Sequence, residues 1–327
     1  MTASLIPTKG IAFLAFPEQK DFLISELKDR FGINATLQST FYDDLLYLQD
    51  KDAFLQASGG KYPYWARTCM LEPFMLKFDS IGEAAGELKK LQRNWAPYQY
   101  TCFRRAQLIQ EKLPYINIKP KTFPFEIPQK PIGIWTLLDE HKLLFSAETS
   151  SYLPCGNLEF VEDHENPPSR AYLKIQNALV LFNSFFGRMP KAGETCFDAG
   201  ACPGGWTWVL LQMGCSVFAV DRAELAPALM TNPAITFLKH DAFTLKPSDL
   251  QDFDWIFSDV ICYPERLLEW VKMWLAQNPK VDMICTIKMQ GETDWNLIEE
   301  FERLPDSKVI HLSYNKHELT WMHRGNK

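Results

Sequence analysis

The chain has 327 residues, of which 46% are hydrophobic and 23% are charged, and its formal net charge is −6. This composition predicts a globular protein with room for two domains and excludes a disordered or fibrous chain. No apolar stretch is long enough to span a membrane, and the opening MTASLIPTKG lacks the basic and apolar regions of a secretory signal. We therefore expect a cytoplasmic protein without a membrane partner.

The eight cysteines include no C-x-x-C pair and no His/Cys cluster at zinc spacing. They predict free thiols, mostly buried, in a reducing compartment. We expect no metal site, and the sequence does not distinguish a monomer from a homodimer.

The first 80 residues alternate short strand-like and helical patterns, which predicts a small α+β unit. Strands are expected at 11–16, 45–48 and 70–78, with a helix at 22–31. Farther along, helices are expected at 82–93 and 103–112, a proline-punctuated connector at 114–131, and a hairpin formed by 133–138 and 142–147.

Residues 87–130 contain nine basic and three acidic residues, so this segment carries +6 and the rest of the chain −12. Aromatic residues are interleaved with the cations, a combination that suits phosphates and unpaired bases of single-stranded RNA. The alternative is a basic helix with a solvated face and aromatic residues in a core. The candidate RNA contacts are Lys89, Lys90, Arg93, Arg104, Arg105, Lys119 and Lys121.

From residue 166 strands alternate with helices, which predicts a doubly wound, mostly parallel, Rossmann-like sheet. Ser169 and Arg170 are expected to cap a helix that runs to about residue 186. Strands are expected at 195–199, 216–220, 235–238, 254–258 and 281–287, with helices at 205–213, 224–230, 265–277 and 294–303. The final strands, 308–312 and 318–323, are expected to form an antiparallel hairpin at the sheet edge.

The segment TCFDAGACPGGW (195–206) has the pattern of a strand, a tight glycine turn and a helix. Such a unit brings backbone N–H groups and a helix N-terminus towards a ligand. Its D-x-G-x-x-P-G-G spacing differs from the G-x-G-x-x-G of dinucleotide sites, and the Asp198 carboxylate would repel a phosphate. It suits an ammonium or sulfonium group, both of which S-adenosylmethionine (SAM) carries. The candidate ligand-binding residues are Asp198, Gly200, Cys202, Pro203, Gly204, Gly205 and Trp206.

Two more acidic residues follow successive apolar strands. Asp221 is placed to accept hydrogen bonds from ribose hydroxyls, and Asp241 to hold an adenine amino group. The alternative is that both are ordinary turn residues at strand ends.

Four residues stand where chemistry is expected. Lys174 lies on the helix that opens the second half, Asp259 and Lys288 end apolar strands, and Glu318 begins the last strand. Because strand ends on one edge of a parallel sheet converge, Asp259 and Lys288 should face the methyl donor. A lysine there is costly to bury unless it is paired, and we expect Asp259 and Glu318 to pair with Lys288.

Five motifs resemble those of the FtsJ-type RNA 2′-O-ribose methyltransferases. They are S-R-A-x-x-K (169–174), D-x-G-x-x-P-G-G-W (198–206), S-D (258–259), I-K-M (287–289) and H-E (317–318). The resemblance covers about residues 167–323, and the glycine turn is closest to the RlmM branch, which methylates a cytidine ribose in large-subunit ribosomal RNA. In front of this region, FPEQKDFLISEL and YPYWART also resemble that branch.

The resemblance implies a class I SAM-dependent methyltransferase domain over 166–327. It also implies a ferredoxin-like unit over 1–80 and an RNA-binding THUMP-like region over 81–165, here shorter than the usual pattern. The family's Lys-Asp-Lys-Glu tetrad falls on Lys174, Asp259, Lys288 and Glu318, with Asp259 also beside the cofactor.

In this hypothesis Lys288 accepts or polarises the proton of a 2′-hydroxyl, or acts only as an electrostatic anchor. Asp259 and Glu318 orient it, and Lys174 holds the substrate oxygen or a neighbouring phosphate. The alternatives are the same chemistry on tRNA or another RNA, a dehydrogenase on a similar sheet, and a non-catalytic RNA-binding ribosome assembly factor.

Overall fold

A computed structural model describes residues 3–326, which form two compact units. The first unit contains the residues up to Pro120 and the segment Ile127–Glu159. The second contains Lys121–Glu126 and the residues from Phe160 onward. Within residues 3–326 no helix has the length and apolar character needed to cross a membrane.

The first unit contains two sheets. A four-stranded antiparallel sheet has the order β3-β4-β2-β5, and a five-stranded sheet has the order β1-β6-β9-β8-β7, in which only β7 and β8 are parallel. The strands are β1 (Ser4–Pro7), β2 (Ile11–Ala15), β3 (Ser39–Tyr42), β4 (Leu45–Leu48), β5 (Ala66–Met70), β6 (Phe74–Lys77), β7 (Trp95–Pro97), β8 (Gly133–Asp139) and β9 (Lys142–Ser146). The helices are α1 (Lys20–Phe31), α2 (Ala35–Gln38), α3 (Lys51–Ser58), α4 (Ile81–Leu91) and α5 (Phe103–Gln110).

The hairpin predicted in this unit is confirmed as β8 and β9. The single strand predicted over 70–78 is wrong, because the chain bends at Leu71 and Glu72, just before Pro73, and its two sides join different sheets. A proline there cannot donate to a ladder and interrupts the strand. The division into a ferredoxin-like and a THUMP-like part stays a prediction.

A buried core lies between the five-stranded sheet and helices α4 and α5. Leu88 and Ile109 of the helices pack with Trp135 and Phe145 of the sheet. The indole of Trp95 lies in this core, and its Nε1 donates to the Leu88 carbonyl at 2.9 Å. A buried indole N–H thus has the hydrogen-bond partner that it needs.

The second unit is a seven-stranded sheet with the order β12-β11-β10-β13-β14-β16-β15. The first five strands in that order are parallel, and β16 runs antiparallel to both of its neighbours. The strands are β10 (Thr195–Ala199), β11 (Ser216–Asp221), β12 (Ile235–Lys239), β13 (Trp255–Ser258), β14 (Asp282–Lys288), β15 (Ser307–Ile310) and β16 (Glu318–His323). The helices are α6 (Ala171–Phe186), α7 (Gly205–Gln212), α8 (Pro227–Met230), α9 (Pro264–Gln277) and α10 (Trp295–Arg303).

This order is that of a doubly wound sheet, with the reversal of strand order at β10 and β13. The predicted alternation and the antiparallel edge hairpin are therefore confirmed. The predicted cap of α6 is wrong: the helix begins at Ala171 without a side-chain cap bond, and Ser169 Oγ has no hydrogen-bond partner among residues 3–326. The helix predicted at 224–230 is limited to the four residues of α8.

A buried carboxylate fixes the start of β14. Asp282 is fully buried and accepts hydrogen bonds from Arg188 Nε, from Arg324 Nη1 at 2.6 Å and from the Gly325 N–H at 2.9 Å. It thus joins the end of α6, the central sheet and the chain terminus. Removing one partner of such a group leaves uncompensated charges in a low-dielectric interior.

We predict that Asp282→Ala lowers the free energy of unfolding of the second unit by about 3–5 kcal/mol, since two arginines lose their buried counter-ion. Urea denaturation followed by tryptophan fluorescence measures this. Asp252→Ala, at an exposed loop position before β13, is the matched control and should change stability by less than about 0.5 kcal/mol. Equal losses in the two variants would contradict the anchoring role.

Candidate active site

The loop between β10 and α7 is held by close packing that only glycine permits. Gly200 has φ +80°, and a Cβ there would lie 2.6 Å from Val260 Cγ2. Gly204 has φ +113°, and a Cβ there would lie 2.2 Å from Leu229 Cδ1. Both positions therefore combine a left-handed backbone with a neighbour at contact distance. The predicted turn lies at the carboxyl end of β10, where ligands of doubly wound sheets bind.

Asp198 is buried at the end of β10, and its Oδ2 accepts a hydrogen bond from Thr207 Oγ1 at 2.6 Å. Burial raises the pKa of this carboxyl to about 7, the Thr207 hydroxyl opposes the rise, and the negative charge of Asp259 adds to it. The site therefore disfavours a further negative charge and is stabilised by a positive one.

The two later acidic residues already have protein partners. Asp221 accepts from the Cys202 N–H at 3.0 Å and from the Ala223 N–H at 2.9 Å, which ties the glycine loop to the end of β11. Cys202 in turn donates its thiol to the Glu224 carbonyl at 3.2 Å. The roles expected for Asp221 and Asp241 towards a nucleoside stay predictions.

Asp241 accepts from the Phe243 N–H at 3.0 Å, from Arg222 Nη2 at 2.6 Å and from Arg266 Nη2 at 3.4 Å. Partial burial acts to raise its pKa, but these bonds and the two guanidinium charges hold that pKa below its usual value. Asp241 is thus a charged group at the centre of an arginine pair.

The remaining loop residues differ in their surroundings. Trp206 is buried and meets Phe257 edge to face at 6.2 Å, so it packs the loop onto β13. Gly205 is also buried, and a Cβ there would lie 2.6 Å from Ser169 Oγ. Pro203 is exposed at the tip.

The structure brings Lys174, Asp259, Lys288 and Glu318 into one cluster, which we call the charge cluster. Lys174 Nζ donates to both oxygens of Asp259 at 3.3 Å and to Glu318 Oε1 at 2.6 Å. Lys288 Nζ lies 2.7 Å from Asp259 Oδ1 and 4.0 Å from Glu318 Oε1. The antiparallel register of β14 and β16 pairs Lys288 directly with Glu318.

Both carboxylates expected to pair with Lys288 do so, Asp259 closely and Glu318 at 4.0 Å. The closer cation of Glu318 is nevertheless Lys174, whose side chain is 10% exposed against 18% for Lys288. Lys174 is therefore the inner cation of the cluster, between the two carboxylates. Lys288 is the more accessible of the two lysines.

The two carboxylates keep Lys174 charged. Burial acts to lower the pKa of Lys174, but Asp259 and Glu318 outweigh it and the pKa is raised. Burial likewise acts to raise the pKa of Asp259, but Lys174 and Lys288 outweigh it and that pKa is lowered. Both groups of this pair are thus held in their ionised forms.

Sequence reasoning missed the residues that hold the cluster in place. Asn177 is buried one turn after Lys174 on α6, and its Oδ1 accepts from the Ser313 N–H at 2.8 Å. Asn315 is buried and donates its Nδ2 to the Glu318 carbonyl at 3.0 Å and to Thr320 Oγ1 at 3.2 Å. The signal for Asn177 was its i+3 spacing from Lys174, which places both on one helix face.

The candidate RNA contacts are divided between the two units. Lys89, Lys90, Arg93 and Arg104 are exposed in the first unit around α4 and α5, as is Lys119 farther along. Arg105 is half-buried, donates to the Asp79 carbonyl at 3.3 Å and lies over the Phe78 ring. Lys121 belongs to the second unit, where its Nζ lies 5.7 Å from the centre of the Phe125 ring.

Several of the aromatic residues interleaved with these cations are buried or packed against another ring. Trp95 and Tyr98 are buried, and Phe123 packs against Phe160. Only Phe103 and Tyr115, at 59% and 79% exposure, stand out as exposed aromatic residues of residues 87–130. Trp95 and Tyr98 therefore fit the alternative of aromatic residues in a core, and the RNA-binding role of the segment stays a prediction.

The thiols and acidic groups complete the set of reactive side chains. All eight cysteines are free, and five of them are buried. Among residues 3–326 no group of three or more His, Cys, Asp or Glu side chains is arranged to hold a metal ion.

Residues 167–292 match the family model described as FtsJ-like methyltransferase. The matched range includes the loop after β10 and three members of the charge cluster, and Glu318 lies beyond it. The matched range lies within the second unit.

Among the curated proteins similar to this chain are several named ribosomal RNA large subunit methyltransferase M. The one from Hahella chejuensis is 28% identical over 223 residues, which cover 67% of this chain and 54% of that protein. The one from Halorhodospira halophila is 38% identical over 124 residues, which cover 38% of this chain and 36% of that protein. The chain spans about half the length of the curated relatives it matches.

Among solved structures, the 1,6-didemethyltoxoflavin-N1-methyltransferase of Burkholderia thailandensis with bound S-adenosylhomocysteine is 18% identical, with a TM-score of 0.34. The match covers 49% of this chain and 80% of that one. At this TM-score the likeness supports no conclusion about the present chain.

The raised pKa of Asp198 predicts a pH-dependent cost to stability. Between its unfolded pKa near 4 and its folded pKa of about 7, the folded state keeps a proton that the unfolded state releases. Stability from this group is therefore lost as the pH rises through that window. Asp198→Asn should raise the free energy of unfolding, by about 2–3 kcal/mol more at pH 8 than at pH 5.

Chemical denaturation of both proteins at the two pH values measures this difference. Asn keeps an oxygen that accepts from Thr207, so the hydrogen bond is matched. A gain that is the same at pH 5 and pH 8 would show that the Asp198 carboxyl does not titrate in this window.

Proposed function

We propose that this protein transfers the methyl group of SAM to a ribose 2′-hydroxyl in RNA, with large-subunit ribosomal RNA as the substrate. The charge cluster at the carboxyl edge of the sheet is the observation that carries the proposal. It adjoins the loop after β10, because the Asp259 N–H donates to the Ala199 carbonyl at 3.3 Å. Two lysines beside two carboxylates suit activation of a hydroxyl next to a bound methyl donor.

The residues around the glycine loop fit SAM better than a dinucleotide. Asp198 is a buried acid whose pKa is raised, so a cation bound beside it would restore its ionised form. In this proposal Asp221 accepts hydrogen bonds from the ribose hydroxyls and Asp241 holds the adenine amino group, as their positions after successive strands suggest. When bound, SAM supplies a methyl group made electrophilic by its sulfonium.

The chain's own residues would then act on the acceptor oxygen. Lys288 contacts the 2′-hydroxyl, because it is the more accessible lysine of the cluster. It would accept or polarise the proton that the oxygen loses as the new O–CH₃ bond forms, while the bond between that methyl group and the SAM sulfur breaks and S-adenosylhomocysteine leaves. Asp259, 2.7 Å from Lys288 Nζ, orients the ammonium.

The contacts of Lys174 favour a supporting role over the substrate contact expected from sequence. Its raised pKa keeps it cationic, and its bonds to Asp259 and Glu318 occupy it inside the cluster. We infer that Lys174 holds the two carboxylates in position rather than contacting the ribose. Asn177 and Asn315 fix the same geometry from α6 and from the segment before β16.

The RNA substrate is supported by the names of the curated relatives and by the exposed cations of the first unit. Lys89, Arg93 and Arg104 are exposed there, and Phe103 beside Arg104 offers a flat apolar face. Cations and exposed aromatic rings together are typical of single-stranded RNA contacts. We propose that this surface binds the RNA that the second unit modifies.

We predict that Lys288→Met lowers kcat for methyl transfer at least about 100-fold, as expected for loss of a general acid–base group, while SAM affinity is unchanged. Labelled SAM would be offered with unmodified large-subunit ribosomal RNA and with tRNA in parallel. Lys280→Met, at an exposed position just before the same strand, is the control.

Each outcome of this assay has a distinct meaning. Label on ribosomal RNA that survives base hydrolysis at its 3′ linkage, and that Lys288→Met abolishes, supports 2′-O-methylation. Label on tRNA alone supports the proposed methyl transfer but contradicts ribosomal RNA as the substrate. Tight SAM binding with no label on either RNA overturns catalysis and favours a non-catalytic assembly factor.

We predict that reversing the charges of Lys89, Arg93 and Arg104 to Glu weakens RNA binding. The slope of log affinity against log salt should become shallower by about 0.7 for each phosphate that the protein no longer neutralises. Reversal of the exposed Lys9, Lys28 and Lys61 changes the net charge equally and is the control. RNA affinity would be measured by fluorescence anisotropy. If both triple variants lose the same affinity, the loss reflects the total charge of the protein and not this surface.

A further inference from the structure

The connection between β13 and α9 begins at Asp259 and exposes two large apolar side chains. Ile261 is 80% exposed and Tyr263 is 64% exposed. These are the two most exposed large apolar side chains within residues 160–326, just ahead of Val161 at 63%. A single exposed apolar residue needs no explanation, but two on one short segment that adjoins a reactive cluster suggest a binding surface.

The residues between them hold the segment against the site. Val260 packs onto the glycine loop, since a Cβ at Gly200 would lie 2.6 Å from its Cγ2. Cys262 is buried, which raises its thiol pKa to about 11, and the Lys288 charge acts on it in the opposite direction. The packed residues Val260 and Cys262 thus alternate with the exposed Ile261 and Tyr263. The backbone of this segment is therefore anchored beside Lys288.

A cleft continues from Tyr263 along the tip of β14. Its apolar lining includes Tyr263, Met289 and Leu297, and Met289 follows Lys288 directly in the chain. Its other lining includes Glu265, Glu292 and Asp294. Three carboxylates disfavour a phosphate in this cleft, whereas an uncharged planar group meets no such repulsion.

We propose that Tyr263 and Ile261 form a stacking platform for a nucleobase of the RNA, next to the ribose whose hydroxyl meets Lys288. This inference rests on the proposed function. Unpaired bases stack on aromatic side chains in single-stranded RNA, and every base offers such a face. The platform would position the acceptor ribose by holding the base, while the acidic cleft keeps the phosphate backbone outside.

The test uses the full chain and large-subunit ribosomal RNA. Tyr263→Ala should raise the KM for RNA about tenfold or more, within the range for loss of one stacked base, with SAM affinity unchanged. Tyr263→Phe should stay near wild type, because the ring and not the hydroxyl does the stacking. Ile261→Ser should raise the same KM by a smaller factor.

Two control variants match these changes elsewhere in the second unit. Val161→Ser removes an aliphatic side chain of similar exposure, and Phe185→Ala removes a partly exposed aromatic ring on α6. Neither should change the KM for RNA. Because Ile261 is so exposed, the Ile261→Ser variant should fold normally. It therefore still tests the platform if Tyr263→Ala is unstable.

The platform is overturned if Ile261→Ser and a folded Tyr263→Ala have the same KM for RNA as the controls. That result would favour a protein partner, and not RNA, as the ligand of this exposed apolar surface. An active wild type with such variants refutes the platform alone. A wild type that transfers no methyl group to RNA overturns the proposed function and the platform together.

Discussion

The second unit depends on the ionic contacts of the charge cluster. Two lysines and two carboxylates share a poorly solvated site at the edge of the sheet, where any of them alone would carry a large desolvation penalty. Because the charges balance, the group is stable only when all four supporting elements are in place. The cluster therefore couples correct assembly of α6, β13, β14 and β16 to the geometry of the site.

The strand order explains how this balance arises. β16 lies between β14 and β15 and runs antiparallel to both, so the start of β16 meets the end of β14. A parallel strand there would place its carboxyl end beside Lys288, and Glu318 would lie at the far edge. The antiparallel insertion thus delivers a second carboxylate to an edge where parallel strands already deliver Asp259. Asn315 then fixes the start of β16 through the Glu318 carbonyl.

Much of this edge could be predicted from sequence, because apolar runs locate parallel strands and the residue after each run lies at the ligand side. That logic placed Asp198, Asp259 and Lys288 correctly at strand ends. It could not assign partners, since the pairing of Glu318 with Lys174 depends on where α6 lies and how far its side chains reach. The bond of Thr207 to Asp198 was equally hidden, and the i+3 spacing of Asn177 from Lys174 could not identify its partner Ser313, because the sequence does not show which hydrogen bonds form across elements.

The basic segment at 87–130 was harder to interpret, because composition does not show which side chains are buried or which unit each part of the chain joins. The chain passes into the second unit at Lys121 and returns to the first at Ile127. The basic residues of this continuous segment are therefore divided between the two units. Trp95 fills a core although it stands among cations. The features that point to function are instead those that folding alone disfavours: a buried acid at Asp198 with a raised pKa, and exposed apolar side chains at Ile261 and Tyr263. Such local costs are expected where a ligand relieves them, because a cation would ionise the acid and a stacked base would cover the apolar faces.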